Sequence, residues 1–167
     1  MNDLSYTAKV FKTVWVSDVH LGTKGSRAKE FLEFLKTIEC EKIFLVGDIV
    51  DGWQLSKRWY WPQTHNDVVQ KILEKAKRGT EIIFIPGNHD EVARDFIGLT
   101  MGGIKVKDDD IHYTADGKKF WVVHGDLFDN VIQHARWLAY IGDWAYVFLL
   151  KTNAVFNAIR RLFKLPY

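Results

Sequence analysis

Ile82-Ile83-Phe84-Ile85, an apolar run that breaks into Pro86-Gly87-Asn88-His89-Asp90, is the strongest signal in this chain. Near-continuous apolar runs of this length read as buried strands. Asn-His directly behind a strand is not a preferred turn, so the polar cluster asks for another explanation. The same arrangement occurs three more times. Val14-Trp15-Val16 leads into Asp18-Val19-His20, Ile43-Phe44-Leu45-Val46 into Gly47-Asp48-Ile49-Val50-Asp51, and Phe120-Trp121-Val122-Val123 into His124-Gly125-Asp126. Each cluster is expected where a buried strand ends, the edge at which open α/β sheets bind ligands.

Between these strands the periodicity turns helical. Ser26 is a candidate N-cap for a helix whose apolar face is Ala28, Phe31, Leu32, Leu35 and Ile38. A second helix is expected after Pro62 and Asn66, with Val68, Val69, Ile72, Leu73 and Ala76 on one face and Gly79 as its stop. With strands over 13–17, 42–46 and 81–85, the order is βαβαβ, which implies parallel strands. Short strands follow over 104–106 and 111–114, and Asp116-Gly117 is a hairpin turn signal before a strand over 119–123. Beyond Asp126 the pattern is helical again. Trp137, Leu138, Ile141, Trp144 and Phe148 share one face, and Val155, Phe156, Ile159, Leu162 and Phe163 another, with Arg160, Arg161 and Lys164 opposite. His65 reads as a surface residue or one at the start of the second helix, and His112 as an exposed strand residue.

Composition narrows the classes. With 167 residues and 47% hydrophobic content, the chain suggests one packed core rather than disorder. Net charge is +2, so global charge names no partner. Residues 118–167 form the basic part, with seven Lys/Arg against three Asp, and the first 117 residues carry no basic stripe that would favour nucleic acid. The single cysteine, Cys40, excludes an internal disulfide and fits a reduced, cytoplasmic setting. No stretch has the ~20 apolar residues of a membrane span.

The four clusters supply Asp, His and Asn, oxygen and nitrogen ligands for divalent ions. Their order, D-x-H, G-D-x-x-D, G-N-H-D and H-G-D, resembles the calcineurin-like metallophosphoesterase superfamily. The resemblance implies a metallophosphoesterase-type α/β sandwich, here partial: βαβαβ plus a β-hairpin over 1–130, then a helical cap over 131–167. It implies two divalent ions, manganese first, with zinc, iron and cobalt admissible. Asp18 and His20 would hold one ion, Asn88 and His124 the other, and Asp48 would bridge them. His89 would contact the phosphate and protonate the leaving oxygen. Asp51, Asp90 and Asp126 would orient the imidazoles, and Gly47, Gly87 and Gly125 would allow the sharp turns.

Within the superfamily, Ser17-Asp18-Val19-His20-Leu21-Gly22, Gly47-Asp48-Ile49-Val50-Asp51-Gly52-Trp53 and His124-Gly125-Asp126-Leu127-Phe128-Asp129 are similar to the UDP-2,3-diacylglucosamine diphosphatases of lipid A synthesis and their paralogues. That similarity covers roughly residues 12–165. His89 stands where the best-known branch carries Arg, which sets this chain nearer to the paralogues. In such enzymes a cap inserted after H-G-D holds acyl chains. Trp137, Trp144, Arg160 and Arg161 are therefore the substrate-binding candidates, with an anionic membrane surface as a further expectation. The superfamily's last motif, G-H-x-H, is absent, which leaves each ion one ligand short. The chain then reads as a fragment of a longer protein or a shortened relative. The expected function is hydrolysis of a pyrophosphate or phosphodiester in a UDP-linked acylated sugar. The alternatives are a weakly active metal-binding module that needs a partner segment, and a nucleotide phosphodiesterase or nuclease.

Overall fold

The structure is a computed structural model that describes residues 9–129 together with 149 and 152. The chain divides into two compact units, Met1–Asp126 and Leu127–Tyr167, and the elements below belong to the first. Its strands and helices are β1 (Lys9–Val16), α1 (Ala28–Thr37), β2 (Ile38–Val46), α2 (Gly52–Lys57), α3 (Gln63–Lys77), β3 (Glu81–Ile85), β4 (Thr100–Met101), β5 (Ile104–Val106), β6 (Asp110–Tyr113) and β7 (Lys119–Val122). A 3-10 helix over Glu91–Phe96 lies between β3 and β4.

Five strands form a sheet in the order β1-β2-β3-β5-β4. β1, β2, β3 and β5 pair in parallel, and only β4 runs antiparallel, on the edge. The expected βαβαβ order is thus present as a parallel sheet. Alternation along β2 and β3 explains why both faces are apolar. Ile43, Leu45 and Ile82 join Leu32 and Leu35 of α1 and Val68 and Ile72 of α3 in one buried cluster. Phe44, Ile83 and Ile85 point the other way and pack with Val122 of β7.

β6 and β7 form a separate two-stranded antiparallel sheet, closed by the turn that carries Gly117 at φ +81°. His112 of β6 meets the Trp15 ring edge-on at 4.7 Å, so the hairpin lies against the face opposite the helices. The fourth apolar run departs from expectation here. Phe120 and Trp121 are about half exposed, and only Val122 of β7 is buried. A hairpin strand in a two-stranded sheet has one face free, whereas β2 and β3 are covered on both.

Three local readings change. Ser26 does not cap α1: its hydroxyl donates to the Val19 carbonyl at 2.7 Å, and Arg27 holds the N-cap position without a side-chain hydrogen bond to the helix. His65 stands at the start of α3, one of the two places expected for it, but it is buried rather than on the surface, with its Nδ1 accepting the Gly22 N–H at 3.0 Å. α2 was not anticipated; six residues are too few for a helical period, although Asp51 caps it by accepting the Gln54 N–H at 2.9 Å. Trp137, Trp144, Arg160 and Arg161, and all of the cap they were assigned to except 149 and 152, lie outside the described residues. No helix among the described residues is long and apolar enough to cross a membrane.

Candidate metal centre

The loops after β1, β2 and β3 are tied together before any side chain acts. The Asp18 N–H donates to the Gly47 carbonyl at 3.2 Å, the His20 N–H to the Asp48 carbonyl at 2.9 Å, and the Gly47 N–H to the Ile85 carbonyl at 2.7 Å. The loop after β3 is anchored in turn by the Gly52 N–H, which donates to the His89 carbonyl at 2.8 Å. Asp18, His20 and Asp48 all adopt positive φ, at 55°, 51° and 57°. Such left-handed backbone costs on the order of 1–3 kcal/mol per non-glycine residue and persists only where the surroundings impose it. Past the end of β1 the chain bends, and the N–H groups of Asp18 and His20 both pair with the loop after β2.

Asp48 is the hub. It is buried, and its Oδ1 accepts the His89 N–H at 3.0 Å. Its Oδ2 lies 4.0 Å from His20 Nε2 and 3.9 Å from His124 Nε2. His20 Nε2 is also 4.0 Å from Asp18 Oδ1. The opposite nitrogens face carboxylates: His20 Nδ1 and His89 Nδ1 lie 3.3 and 3.1 Å from the same Asp51 Oδ2, and His124 Nδ1 lies 3.2 Å from Asp126 Oδ1. Burial pushes the Asp51 carboxyl up, but the Gln54 N–H and the His89 and His20 rings outweigh it and hold it below the usual carboxylate range. Carboxylates behind imidazoles in this manner set the tautomer and leave Nε2 facing the centre.

Asp90 does something else. Its carboxylate accepts backbone N–H groups, from Gly87 at 2.6 Å, Ile49 at 2.8 Å, and Asp48 and Val50 at 3.3 Å. It therefore staples the β2 loop to the β3 loop, where the sequence suggested support for His89. Arg94 was not anticipated. It donates to Asp126 Oδ2 at 2.6 Å and to the Pro86 carbonyl at 3.2 Å, joining the carboxylate behind His124 to the β3 loop. Nothing in its sequence position, six residues past Asn88, marks it. The glycines also divide. Gly47 has φ +64° and is pressed by the His124 ring, whose Nε2 would lie 2.6 Å from an added Cβ. Gly87 has ordinary φ but no room, since a Cβ would meet His124 Cε1 at 2.8 Å and also Asp48 Oδ1. Gly125 has neither constraint. Asn88 is half-buried in the loop between Gly87 and His89.

His20, Asp48 and His89 can each direct one ligand atom to a common point, these atoms lying within 4.8 Å of one another. Mixed imidazole and carboxylate donors suit manganese, iron, cobalt or zinc, and the Nε2 atoms of His20 and His124, each about 4 Å from the same buried Asp48 Oδ2, fit an ion centre.

The calcineurin-like phosphoesterase family model matches residues 11–157, most of the chain. This chain belongs to the calcineurin-like phosphoesterase family. Members of the family are typically dinuclear metal enzymes. Among curated proteins, it is similar to the UDP-2,3-diacylglucosamine hydrolase of Blochmanniella pennsylvanica, at 26% identity over 129 residues, covering 74% of this chain and 51% of that one. The protein of the same name from Azotobacter vinelandii is 26% identical over 144 residues, covering 83% of this chain and 58% of that one. The chain thus spans about half the length of the curated relatives it matches. Among solved structures, the nuclease MPE of Pseudomonas putida matches with 26% identity and a TM-score of 0.38, over 58% of this chain and 48% of that one.

Proposed function

We propose that this chain carries the catalytic core of a two-metal phosphohydrolase that cleaves a pyrophosphate or phosphodiester bond, with a UDP-linked acylated sugar as substrate. The observation that carries it is the placement of one buried carboxylate oxygen, Asp48 Oδ2, 4.0 and 3.9 Å from the Nε2 atoms of two histidines from different loops. The substrate class is supported by two relatives named UDP-2,3-diacylglucosamine hydrolase. Asp18, His20 and Asp48 would hold one ion and Asp48, Asn88 and His124 the other, and such ions supply charge neutralisation and an activated water for attack on phosphorus.

The protein's own part is to place groups. Asp51 would hold His20 and His89 by their Nδ1 atoms, and Asp126, itself fixed by Arg94, would hold His124. His89 would then contact the phosphate and pass a proton from Nε2 to the leaving oxygen, the Asp51 carboxylate stabilising the imidazolium. The His89 ring could also offer a ligand atom to an ion beside His20 and Asp48, and metal occupancy separates that role from contact with the phosphate. His89→Ala is expected to lower turnover by ~10²–10⁴, the usual contribution of a general acid, while both ions stay bound. Asp48→Ala is expected to lose both ions by elemental analysis of the manganese-loaded protein. Two ions retained in Asp48→Ala would remove the bridging role, and no metal-dependent turnover of UDP-2,3-diacylglucosamine beside turnover of a plain phosphodiester would remove the substrate class.

A second reading rests on the absence of G-H-x-H from the 167 residues. In it, the centre binds metal but turns substrate over weakly until further imidazoles are supplied. Sub-stoichiometric metal with low turnover in the wild-type chain, raised by adding the remaining length of a full-length relative, would favour it.

A further inference from the structure

Trp53 is about half exposed, although an indole is the largest apolar side chain and ordinarily finds cover. It stands in the first turn of α2, two residues after Asp51, the carboxylate shared by His20 and His89. Its ring centroid is 4.6 Å from that of His89 at 39°, and His89 meets His20 edge-on at 4.8 Å. The indole is therefore next to the ring that the proposed chemistry places on the phosphate.

Its position is imposed by the backbone. The Gly52 N–H donates to the His89 carbonyl at 2.8 Å, and Asp51 caps the turn through the Gln54 N–H at 2.9 Å. These bonds hold the start of α2 against the G-N-H-D loop. The indole N–H has no hydrogen-bond partner among the described residues. A rigid, half-open aromatic face with a free donor, set at the rim of an anion-binding centre, suits a planar heteroaromatic ring joined to a phosphate.

We infer that Trp53 is the stacking platform for the base of a nucleotide whose phosphate sits at the metal centre. The inference rests on the phosphohydrolase reading and adds to it the residue that recognises the nucleoside. A stacked base typically adds a fivefold or larger gain in affinity, and a platform already packed on one side by His89 belongs at the lower end, about tenfold. The ring serves any base, since every base has a π-face, so the selectivity is for a nucleotide over a bare sugar phosphate rather than for uracil over cytosine.

The test compares uridine 5′-monophosphate with ribose 5-phosphate, identical except for the base, by calorimetric titration into the manganese-loaded full chain. Wild type is expected to bind the nucleotide about tenfold more tightly. Trp53→Ala should bring the two ligands to within about twofold, and Trp53→Phe should keep most of the preference. Trp53→Leu retains apolar packing on His89 without a ring, and should lose the preference as Trp53→Ala does. An unchanged ratio in Trp53→Ala and Trp53→Leu overturns the inference. So does equal weakening of both ligands, which would mean that the indole only props His89. Ribose 5-phosphate that fails to bind wild type overturns the phosphate-site reading itself, and this inference with it.

Discussion

Single residues at this centre are constrained by space as much as by chemistry. Gly87 has ordinary backbone angles, so a conformational argument would let any residue stand there. The His124 ring and the Asp48 carboxylate nonetheless occupy the place of its Cβ. Gly87→Ala is therefore expected to push those two groups apart. Displacing reacting groups by about 1 Å commonly costs ~10²-fold in rate. Metal content and turnover should both fall by that order or more, while far-ultraviolet circular dichroism stays native. Gly125→Ala, with open space and no special φ, should change neither, and a Gly125→Ala loss equal to that of Gly87→Ala would show that the spatial argument is wrong. Asp48, Gly47 and Gly87 were legible as motif residues. That Gly47 and Gly87 are needed chiefly because His124 lies on them was not, since His124 is far away in sequence.

Elements are joined across the centre by buried polar bonds, and one of them titrates. His65 of α3 accepts the Gly22 N–H at 3.0 Å and so ties this helix to the loop that carries Asp18 and His20. Burial pushes the His65 imidazole below its ordinary value of 6.5. A group with a depressed histidine value binds more protons when unfolded, so stability rises with pH. The contribution is whole above pH 6.5 and is lost as pH falls from 6.5 through the lower folded value. Denaturant midpoints measured from pH 7.5 down to 5 should decline more for wild type than for His65→Gln, which cannot titrate. His65→Leu should cost about 1–3 kcal/mol at neutral pH, because the Gly22 N–H is left buried without a partner. Parallel pH profiles for wild type and His65→Gln would show that this bond does not carry the dependence. From sequence, His65 looked like one of the histidines without a role, because the partner is a backbone group 43 residues away.

At the scale of the fold, and among the described residues, strain and like charge are gathered in one place. Three non-glycine residues with positive φ, Asp18, His20 and Asp48, meet at one centre, with the Asp18 and Asp48 carboxylates on the Nε2 side of His20 and Asp51 behind its Nδ1. An ion that binds only the folded chain stabilises it, by about 2.7 kcal/mol at a hundredfold excess over its dissociation constant. For a chain of this length that amounts to roughly 5–10 °C in Tm. Thermal scans with manganese and with excess chelator are expected to differ by that amount, and Asp48→Ala should abolish the difference. Identical Tm values with and without chelator would mean that the cluster does not take up the ion. The sheet order β1-β2-β3-β5-β4 was partly readable, because helices between β1, β2 and β3 demand parallel pairing. The separate β6–β7 hairpin was readable as a hairpin but not in its place, since periodicity does not say which face of the main sheet it covers.

Local chemistry sufficed wherever a property depends on neighbours along the chain. Apolar runs made β2 and β3, helical spacing made α1 and α3, and Asp116-Gly117 turned the hairpin. Donor types behind those runs were enough to nominate candidate metal ligands. Only the tertiary structure decided which carboxylate supports which group. Asp51, Asp90 and Asp126 look equivalent in sequence, each an acid a few residues past a strand. Folding puts Asp51 behind two imidazoles, Asp126 between His124 and Arg94, and Asp90 among four backbone N–H groups. The physical reason is that a carboxylate binds whichever donors are brought within about 3 Å, and across separate strands those donors are set by the packing of the sheet, not by the residues beside it in the chain.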